Sequence, residues 1–421
     1  MVYQTINEAN QAVVAKIIAG SPFLLDVVPA KEVIEPLRTG KVLLHAGPPI
    51  TYDKMVDPIQ GACVGAVLFE GWAKDEEDAR ELLANGEVEL IPCHHVDAVG
   101  PMGGITSANM AVLVVENKDE NNRAYCTMNE GIGAVLRFGA YSNEVVTRLH
   151  WMKDVLGPTL SKALKKKGPI NINVLVAKAI AMGDEFHQRN IAASLAFLKE
   201  VAPTIVSLED VEQEEKEAVI QFLADTDQFF LNIMMASAKS VMDGARKLQE
   251  GTVVTAMCRN GYEFGIRIAG MGDQWFTGPV NTPKGLYFSG FSESDAAPDM
   301  GDSAITETFG VGGMAMIAAP AVTRFVGSGG FNDALNTSEE MTEITLAHNP
   351  NFSVPTWDFQ GITTGIDACK VVETGILPVI NTGIANKKAG LGQIGAGTVT
   401  PPIECFEKAV LAYAKKLGFE G

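Results

Sequence analysis

The sequence has no acidic residue between Glu373 and Glu404, although the 421-residue chain carries a formal net charge of −18. The centre of this gap, residues 380–397 (INTGIANKKAGLGQIGAG), combines several glycines with Lys387 and Lys388. Glycine lets backbone N–H groups turn toward a common point, and lysine adds positive charge. The gap therefore predicts a site for a small anion. The alternative is a tight, buried crossover loop in which the glycines serve only close packing.

Other absences exclude whole classes of function. So acidic a chain is not expected to carry the basic patches that bind nucleic acid or anionic membranes. A basic leader is missing at the start, and the longest apolar run, residues 309–326, is interrupted by three glycines, Pro320 and Arg324. The six cysteines form no CxxC pair and show no zinc-ligand spacing. We expect a cytoplasmic protein with reduced thiols and no cofactor, although a bound metal stays open.

Composition and periodicity indicate a mixed α+β protein with several domains. Apolar residues make up 47% of the chain and charged residues 20%, as in globular proteins with a large core. Short apolar strands alternate with helices in the first third, and strand signals are nearly absent in the second. We expect an α/β domain over residues 1–130, a central all-helical domain over 131–250, and an α/β domain with glycine-rich anion-binding loops over 251–421.

Two arginines lie in a predicted hairpin at residues 259–279 (RNGYEFGIRIAGMGDQWFTGP). Arg259 is expected at the turn with Asn260, and Arg267 follows eight residues later. The planar guanidinium binds carboxylate or phosphate through two parallel hydrogen bonds, so both arginines are candidate substrate ligands. The competing interpretation is a structural salt bridge to an acid such as Glu263.

A glycine turn also precedes a run of small residues within residues 300–320 (MGDSAITETFGVGGMAMIAAP). Free N–H groups and the helix dipole at such a turn favour anion binding, here by Gly312 and Gly313. The same residues are compatible with close helix packing. Glu307 is the more informative residue, because a carboxylate in this apolar setting requires a partner or a chemical role.

Residues 182–190 (MGDEFHQRN) interrupt the helical region. Asp184 is suited to capping the next helix, and His187, three residues later, shares its face. Three interpretations of His187 compete: a surface histidine beside a capped helix, an acid/base or substrate-orienting group, and a metal ligand. The metal ligand has less support, because no second histidine–acid pair with helical spacing occurs.

Other polar clusters are less specific. His94 and His95 follow a strand and point to opposite faces, so at most one enters a site. Arg137 and residues 129–131 (NEG) lie at the entry to the helical region, where they are placed to contribute donors across a domain cleft. A GxGxxG pattern at residues 390–395 does not run into a helix, which argues against a nicotinamide site.

Four of these strings, taken together, resemble the YlbE-like or AllG family, formerly a domain of unknown function: RNGYEFGIRIAGMGDQWF, MGDSAITETFGVGGMAMIAAPA, INTGIANKKAGLGQIGAG and MGDEFHQRN. The likeness covers essentially the whole chain. It implies a multi-domain α+β fold with a helical insertion. It also implies a subunit of an oxamate carbamoyltransferase that works with FdrA-type and YlbF-type partners. That reaction interconverts carbamoyl phosphate plus oxamate with oxalurate plus phosphate in anaerobic purine or allantoin breakdown.

The residues and the resemblance both favour a pocket for small anions in a homo- or hetero-oligomer. Carbamoyl transfer requires little covalent catalysis. A protein that holds both substrates in place and stabilises charge on the carbamoyl oxygen and the leaving phosphate could suffice. The candidates for orienting the amine or relaying a proton are His187, Glu307 and Asp184. The residues expected to bind substrate are Arg259, Asn260, Arg267, Gly312, Gly313, Asn381, Gly383, Lys387, Gly392, Gln393 and Gly395.

Two other functions stay open at this stage. The chain is alternatively a non-catalytic scaffold or binding subunit of an FdrA-type complex, whose glycine segments serve packing. A third possibility is a metal-dependent amidohydrolase that uses His94 or His187. The acceptor itself is oxamate or a related small amine or amide.

Overall fold

The computed structural model describes residues 3–419, in which mixed helices and strands flank a mainly helical central region. A π-helical turn, Met152–Leu156, joins the fifth helix to the sixth. The helices are α1 Ile6–Ala19, α2 Ala30–Val33, α3 Asp57–Phe69, α4 Glu76–Ala84, α5 Asn143–Trp151, α6 Gly157–Lys167, α7 Ile172–Ala181, α8 Ile191–Val206, α9 Gln213–Asp225, α10 Phe229–Arg246, α11 Ile305–Phe309, α12 Pro320–Phe325, α13 Phe331–Glu343, α14 Ala368–Thr374 and α15 Ile403–Lys416.

The strands form five small sheets with the orders β4-β6-β5-β1-β7, β10-β9-β8-β12, β11-β16-β15, β13-β14 and β2-β3. Pairing is antiparallel except between β2 and β3 and between β4 and β6. The strands are β1 Pro22–Pro29, β2 Val42–His45, β3 Glu89–Pro92, β4 Ala98–Val99, β5 Ala111–Asn117, β6 Asn122–Thr127, β7 Ile170–Asn171, β8 Val254–Asn260, β9 Glu263–Ile268, β10 Phe276–Pro279, β11 Lys284–Tyr287, β12 Met300–Gly301, β13 Thr345–Val354, β14 Gln360–Ile366, β15 Ile380–Ala385 and β16 Gln393–Val399.

Helix α10 belongs to the largest apolar cluster of the fold. Every residue from Phe229 to Ala245 is buried, and the helix contacts α1, α8, α11, β5 and β6. A helix buried on all faces must be apolar or must pair its charges internally. Lys239 and Asp243, one turn apart, meet this requirement with 2.6 Å between Nζ and Oδ2.

The hairpin predicted after residue 251 is present as β8 and β9, but its turn is displaced. Arg259 pairs with Phe264 across the ladder, so the chain reverses at Gly261 and Tyr262. Gly261 has a φ of +79°, which glycine adopts without strain. Arg259 is consequently a buried strand residue and not a turn residue.

The prediction of a mixed α+β fold is confirmed. Between residues 131 and 250, the two-residue strand β7 interrupts an otherwise helical region. The largest apolar cluster includes residues of all three predicted domains, from Val13 to Ala396, and the domain boundaries stay a prediction. Within residues 3–419, no helix combines the length and the apolar composition needed to cross a membrane.

Removing the hydroxyl of Tyr413 tests how α15 is held against the rest of the fold. This buried hydroxyl accepts a hydrogen bond from the Gly251 N–H at 2.8 Å, so Tyr413→Phe leaves the N–H without a partner. We expect the free energy of unfolding, measured with denaturant, to fall by about 1–3 kcal/mol. The control Tyr262→Phe alters a ring that is 54% exposed and should cost less than about 0.5 kcal/mol. Equal stability of the two variants would contradict this account.

Candidate active site

His187 and Glu307 form a buried pair. The histidine Nδ1 lies 2.7 Å from Oε1 and 2.9 Å from Oε2 of the carboxylate, and the two side chains are 4% and 0% exposed. A carboxylate facing Nδ1 accepts the proton carried by that nitrogen, which assigns the ring to the tautomer whose Nε2 has a free lone pair. The pair therefore presents a basic nitrogen that is oriented by a buried acid.

The loop between α7 and α8 sets the position of His187 by turning around an acid. The Glu185 Oε1 accepts hydrogen bonds from three successive N–H groups, those of His187, Gln188 and Arg189, at 3.1, 2.5 and 2.6 Å. Phe186, between Glu185 and His187, has a φ of +72°. Burial raises the pKa of Glu185, while the nearby His187 and the N–H donors act in the opposite direction.

Glu307 lies on the short helix α11 and receives hydrogen bonds from several segments. Its Oε1 accepts the N–H of Gly313 at 2.9 Å and that of Asn381 at 3.2 Å, and its Oε2 accepts the Thr306 hydroxyl at 3.0 Å. Gly312 leaves room for this carboxylate, because its φ is +66° and a Cβ would lie 2.0 Å from Oε1. The polypeptide is thus folded closely around one acid.

A second set of bonds connects the two buried acids. The Asn381 side chain donates from Nδ2 to Oε2 of Glu185 at 2.9 Å, and the Gly312 N–H donates to the Glu185 carbonyl at 2.5 Å. Three of the predicted residues, Gly312, Gly313 and Asn381, therefore lie together beside His187 and Glu307. Their backbone N–H groups are engaged by protein oxygens.

A narrow cavity of about 20 Å³ lies beside His187, with room for roughly one water-sized group. It adjoins an outer cavity of about 330 Å³, and the two share the side chains of Gln188, Gln228 and Gln393. We call them the inner and outer cavities. The inner cavity is lined by Pro101, Met102, Arg137, Phe138, His187, Gln188, Gln228, Leu231, Ser303, Gly383 and Gln393.

Arg137 is the cation of the inner cavity. One of its terminal nitrogens, Nη2, donates to the Gly131 carbonyl at 2.7 Å and to the Gln228 Oε1 at 3.3 Å, and its Nε is buried without a partner. Burial lowers the pKa of Arg137 to about 10, and the charge of Glu130 opposes this shift. The guanidinium therefore remains charged at neutral pH and keeps donors free for an anion.

The outer cavity has a mixed lining. Arg189 lies on its wall with a side chain that is 37% exposed and an Nε 3.5 Å from Oδ1 of Asp184. Three of its apolar lining residues, Ile132, Phe288 and Phe325, are 58%, 40% and 48% exposed. The passage toward His187 thus joins an apolar rim to a polar, cationic interior.

Arg259 lies behind the site in a buried salt bridge. Its Nε and Nη2 contact the two carboxylate oxygens of Asp299 at 2.6 and 3.1 Å, and Thr382 is 3.3 Å from Nη2. Both charged side chains are fully buried. Asn260 is also structural in its contacts, because its amide donates to the Pro48 carbonyl at 2.9 Å. Neither residue lines the inner or the outer cavity.

Arg267 lies in a different part of the fold, beside His94. Its Cζ is 4.0 Å from the centre of the Trp275 ring, and its Nη1 is 3.5 Å from Oδ1 of Asp273. His94 shares its surroundings with Cys258 and Asp302, and one ligand-type atom of each lies within 4.8 Å of the others. Burial raises the pKa of Asp302 to about 7, against two N–H donors that lower it.

The acid-free segment divides between the site and the surface. Gly383 and Gln393 line the inner cavity, and a Cβ on Gly383 would lie 3.2 Å from the Phe138 ring. Gly392 and Gly395 allow close backbone contacts, since added Cβ atoms would lie 2.4 Å from backbone oxygens. Lys387 is exposed and donates to the Ser294 carbonyl at 2.5 Å.

Asp184 caps a helix, as predicted, but α8 begins only at Ile191, so His187 lies in the preceding loop and does not share a helix face with Asp184. Its Oδ2 accepts the N–H of Ala193 at 2.8 Å in the first turn of α8. Burial raises the pKa of Asp184, and the N–H groups of Ala192 and Ala193 lower it. It fixes the start of α8, and through it the loop that carries His187.

Sequence reasoning missed part of the site. Glu185, Gln188 and Gln228 were not candidates, although the first two lie within the segment that was singled out. The sequence indicates Arg137 only as a donor at a domain cleft. A positive φ at a residue other than glycine, as at Phe186, has no sequence signal, and uncharged glutamines give none either.

Comparisons with known proteins extend over the whole chain. A family profile described as oxamate carbamoyltransferase subunit AllG matches residues 88–303. The chain is 57% identical over 417 residues to the oxamate carbamoyltransferase subunit AllG of Escherichia coli K12, covering 99% of each. It is 46% identical over 413 residues to the uncharacterized protein YahG of the same strain, covering 98% of this chain and 87% of YahG.

A solved structure has the same fold. The crystal structure of a conserved protein of unknown function from Enterococcus faecalis V583 superposes with a TM-score of 0.96 at 46% identity. The superposition covers 99% of both chains, so the segments that surround His187 and Glu307 lie within the shared fold.

Replacing Arg259 separates a structural role from a binding role. Arg259→Met leaves the Asp299 carboxylate buried without its partner, and we expect the free energy of unfolding to fall by about 3–5 kcal/mol. The control Arg123→Met breaks an exposed pair with Glu116 and should cost about 1 kcal/mol or less. Denaturant unfolding measures both. A fully stable Arg259→Met protein that had lost only substrate binding would contradict the structural role.

Proposed function

This chain belongs to the AllG family, and from that premise we propose that it is a subunit of an oxamate carbamoyltransferase. The complex interconverts carbamoyl phosphate plus oxamate with oxalurate plus phosphate. The observation that carries the proposal is the His187–Glu307 pair at the closed end of a cavity that also holds Arg137. The resemblance noted in the sequence is confirmed at the level of the family.

The reaction needs a base at the acceptor nitrogen. The amide nitrogen of oxamate attacks the carbamoyl carbon, the bond from that carbon to the phosphate oxygen breaks, and phosphate leaves with the electron pair. An amide nitrogen loses a proton as it forms the new C–N bond, and the Nε2 of His187 is the free basic atom at the inner cavity. A base at hydrogen-bond distance contributes about 10²–10⁴-fold to such a step.

Glu307 supports this proton transfer without leaving its place. As His187 gains a proton on Nε2, the ring becomes a cation, and the carboxylate opposite Nδ1 stabilises it. Three further donors, from Thr306, Gly313 and Asn381, prevent the carboxylate from turning away. In the reverse direction, the same His187 returns the proton to the departing nitrogen of oxamate.

Each of two arginines binds one anionic group of the substrates. Arg137 meets one end of the oxamate carboxylate at the inner cavity, because its guanidinium is charged, and the rest of oxamate extends into the larger outer cavity. Arg189 on the wall of the outer cavity meets the phosphate of carbamoyl phosphate. The carbamoyl group then lies between them, within reach of His187. Arg259 and Arg267 support the surrounding structure in this scheme.

The proposal extends to the setting of the reaction. The partner subunits are of the FdrA and YlbF types, the location is the cytoplasm, and the pathway is anaerobic purine or allantoin breakdown. The exposed apolar rim of the outer cavity is consistent with a chain that works in a complex.

The role of His187 is tested by His187→Gln in the assembled complex. We expect kcat to fall by about 10²–10⁴-fold with little change in KM, because the base is lost while the anion contacts remain. Oxamate-dependent release of phosphate from carbamoyl phosphate measures the rate. The exposed His348 provides the matched control, His348→Gln, which should keep full activity. Unchanged turnover of an assembled His187→Gln complex would favour the scaffold role instead.

The role of Arg137 is tested by Arg137→Lys, which keeps the charge and removes the planar fork. We expect the KM for oxamate to rise by about tenfold or more, the loss associated with one charged hydrogen bond. The KM for carbamoyl phosphate serves as the internal control and should change less. A selective rise in the KM for carbamoyl phosphate would contradict the assignment of Arg137 to oxamate.

A further inference from the structure

We propose that His94, Cys258 and Asp302 form a binding site for a zinc ion. One donor atom from each lies within 4.8 Å of the other two, and all three side chains are buried. None of the three lines the inner or the outer cavity, so this site is distinct from the one that holds His187.

The imidazole of His94 lacks the contacts that a buried ring requires. It is 2% exposed, and neither Nδ1 nor Nε2 has a hydrogen-bond partner. Buried polar atoms of folded proteins are nearly always paired, and an ion is one of the groups that pair them. The Nε2 lies 3.7 Å from Oδ1 of Asp302, which is too long for a hydrogen bond.

The same separation suits a shared metal. Zinc lies about 2.0–2.2 Å from nitrogen and oxygen ligands, so two ligands at a tetrahedral angle are about 3.4 Å apart. Small movements of the His94 and Asp302 side chains therefore bring both to bonding distance. The distance between His94 and Asp302 is therefore close to that of two zinc ligands, and Sγ of Cys258 lies within 4.8 Å of the donor atoms of both.

The fold holds two of the ligands in register. Strand β12 is antiparallel to β8, and Gly301 lies opposite Arg259. Continuing this register by one residue places Asp302 opposite Cys258, just beyond the end of the ladder. The Asp302 carboxylate is fixed by N–H groups of Gly47 at 2.8 Å and of Gly100 at 3.0 Å. Each oxygen of a carboxylate keeps a further lone pair for a metal.

The third ligand comes from a separate element. His94 lies in the 3-10 turn Cys93–Val96 that follows β3. Because the three residues are far apart in the chain, no sequence spacing indicates the site. The structure thus supplies what the cysteine pattern did not show.

The donor set selects the ion. A thiolate, an imidazole and a carboxylate match zinc, whereas Mg²⁺ and Ca²⁺ take oxygen ligands and avoid sulfur. The electrostatics agree with this choice. Zinc with one thiolate and one carboxylate forms a neutral unit, so the site would place no net positive charge beside the cations near His94: Lys239, Arg246 and Arg267. Lys239 is in addition paired with Asp243.

A metal at this position would stiffen one wall of the inner cavity. Asp302 is followed directly by Ser303, which lines that cavity and lies 3.4 Å from Nη1 of Arg259. The site would join β8, β12 and the turn after β3. Its role is therefore structural, and its existence does not depend on carbamoyl transfer.

The test is metal binding by the purified full-length chain. After incubation with zinc and gel filtration, we expect about one zinc per chain by elemental analysis. Cys258→Ser and His94→Gln should each lower the zinc content by about tenfold or more. The control Cys63→Ser removes another buried thiol, outside the group, and should leave the content unchanged. Wild-type protein without stoichiometric zinc would overturn the proposal.

Cobalt(II) provides a readout that does not depend on the stability of the variants. Wild-type protein loaded with cobalt should show a thiolate-to-cobalt charge-transfer band, which the Cys63→Ser protein keeps. Bound cobalt without that band would overturn the assignment of Cys258 as a ligand. Because neither measurement uses substrate, failure here leaves the proposed carbamoyl transfer untouched, and failure of the activity tests leaves the metal site untouched.

Discussion

A carboxylate removed entirely from water must obtain its hydrogen bonds from the protein, and Glu307 obtains them from four directions. The donors are His187, Thr306, Gly313 and Asn381. They belong to three stretches of the chain that are far apart in sequence, and the need to satisfy one buried acid helps to hold those stretches together, alongside the bonds that Gly312 and Asn381 make to Glu185. The hydrogen bonds to Glu307 fix the orientation of His187. They also fix the path of the turn at Gly312 and Gly313 and the start of β15.

Other buried charged side chains also obtain their partners from the protein. Arg259 is matched by Asp299, Lys239 by Asp243, and Glu185 by three successive N–H groups. Arg137 departs from this pattern, as His94 and Arg267 do, because its Nε is buried without a partner, and of these three residues only Arg137 lines the inner cavity. That departure, next to a histidine with a free Nε2, distinguishes the site from the structural ion pairs around it.

Much of the fold could be predicted from the sequence. Which residues lie together in the candidate site could be predicted only in part. Apolar periodicity identifies the mixture of short strands and helices in the first third and the hairpin of β8 and β9, because burial of one face imposes that periodicity directly. The importance of His187 and Glu307 follows from their unusual surroundings. The partner of an arginine is decided by tertiary packing, so the sequence could not place Arg259 against Asp299. Glycines give the least guidance, since Gly312 makes space for an acid while Gly383 lines a cavity, and a glycine in the sequence does not indicate which of these roles it has.

The burial of α10 also affects when the chain can fold during translation. This helix contacts β5 and β6, which the ribosome produces earlier, and α11 and β8, which follow it. Its apolar surface is therefore left partly open until about residue 309 has emerged from the exit tunnel. A nascent chain in that state exposes the kind of surface that chaperones bind and that aggregates form from. Folding of the central part of the protein accordingly finishes late in translation.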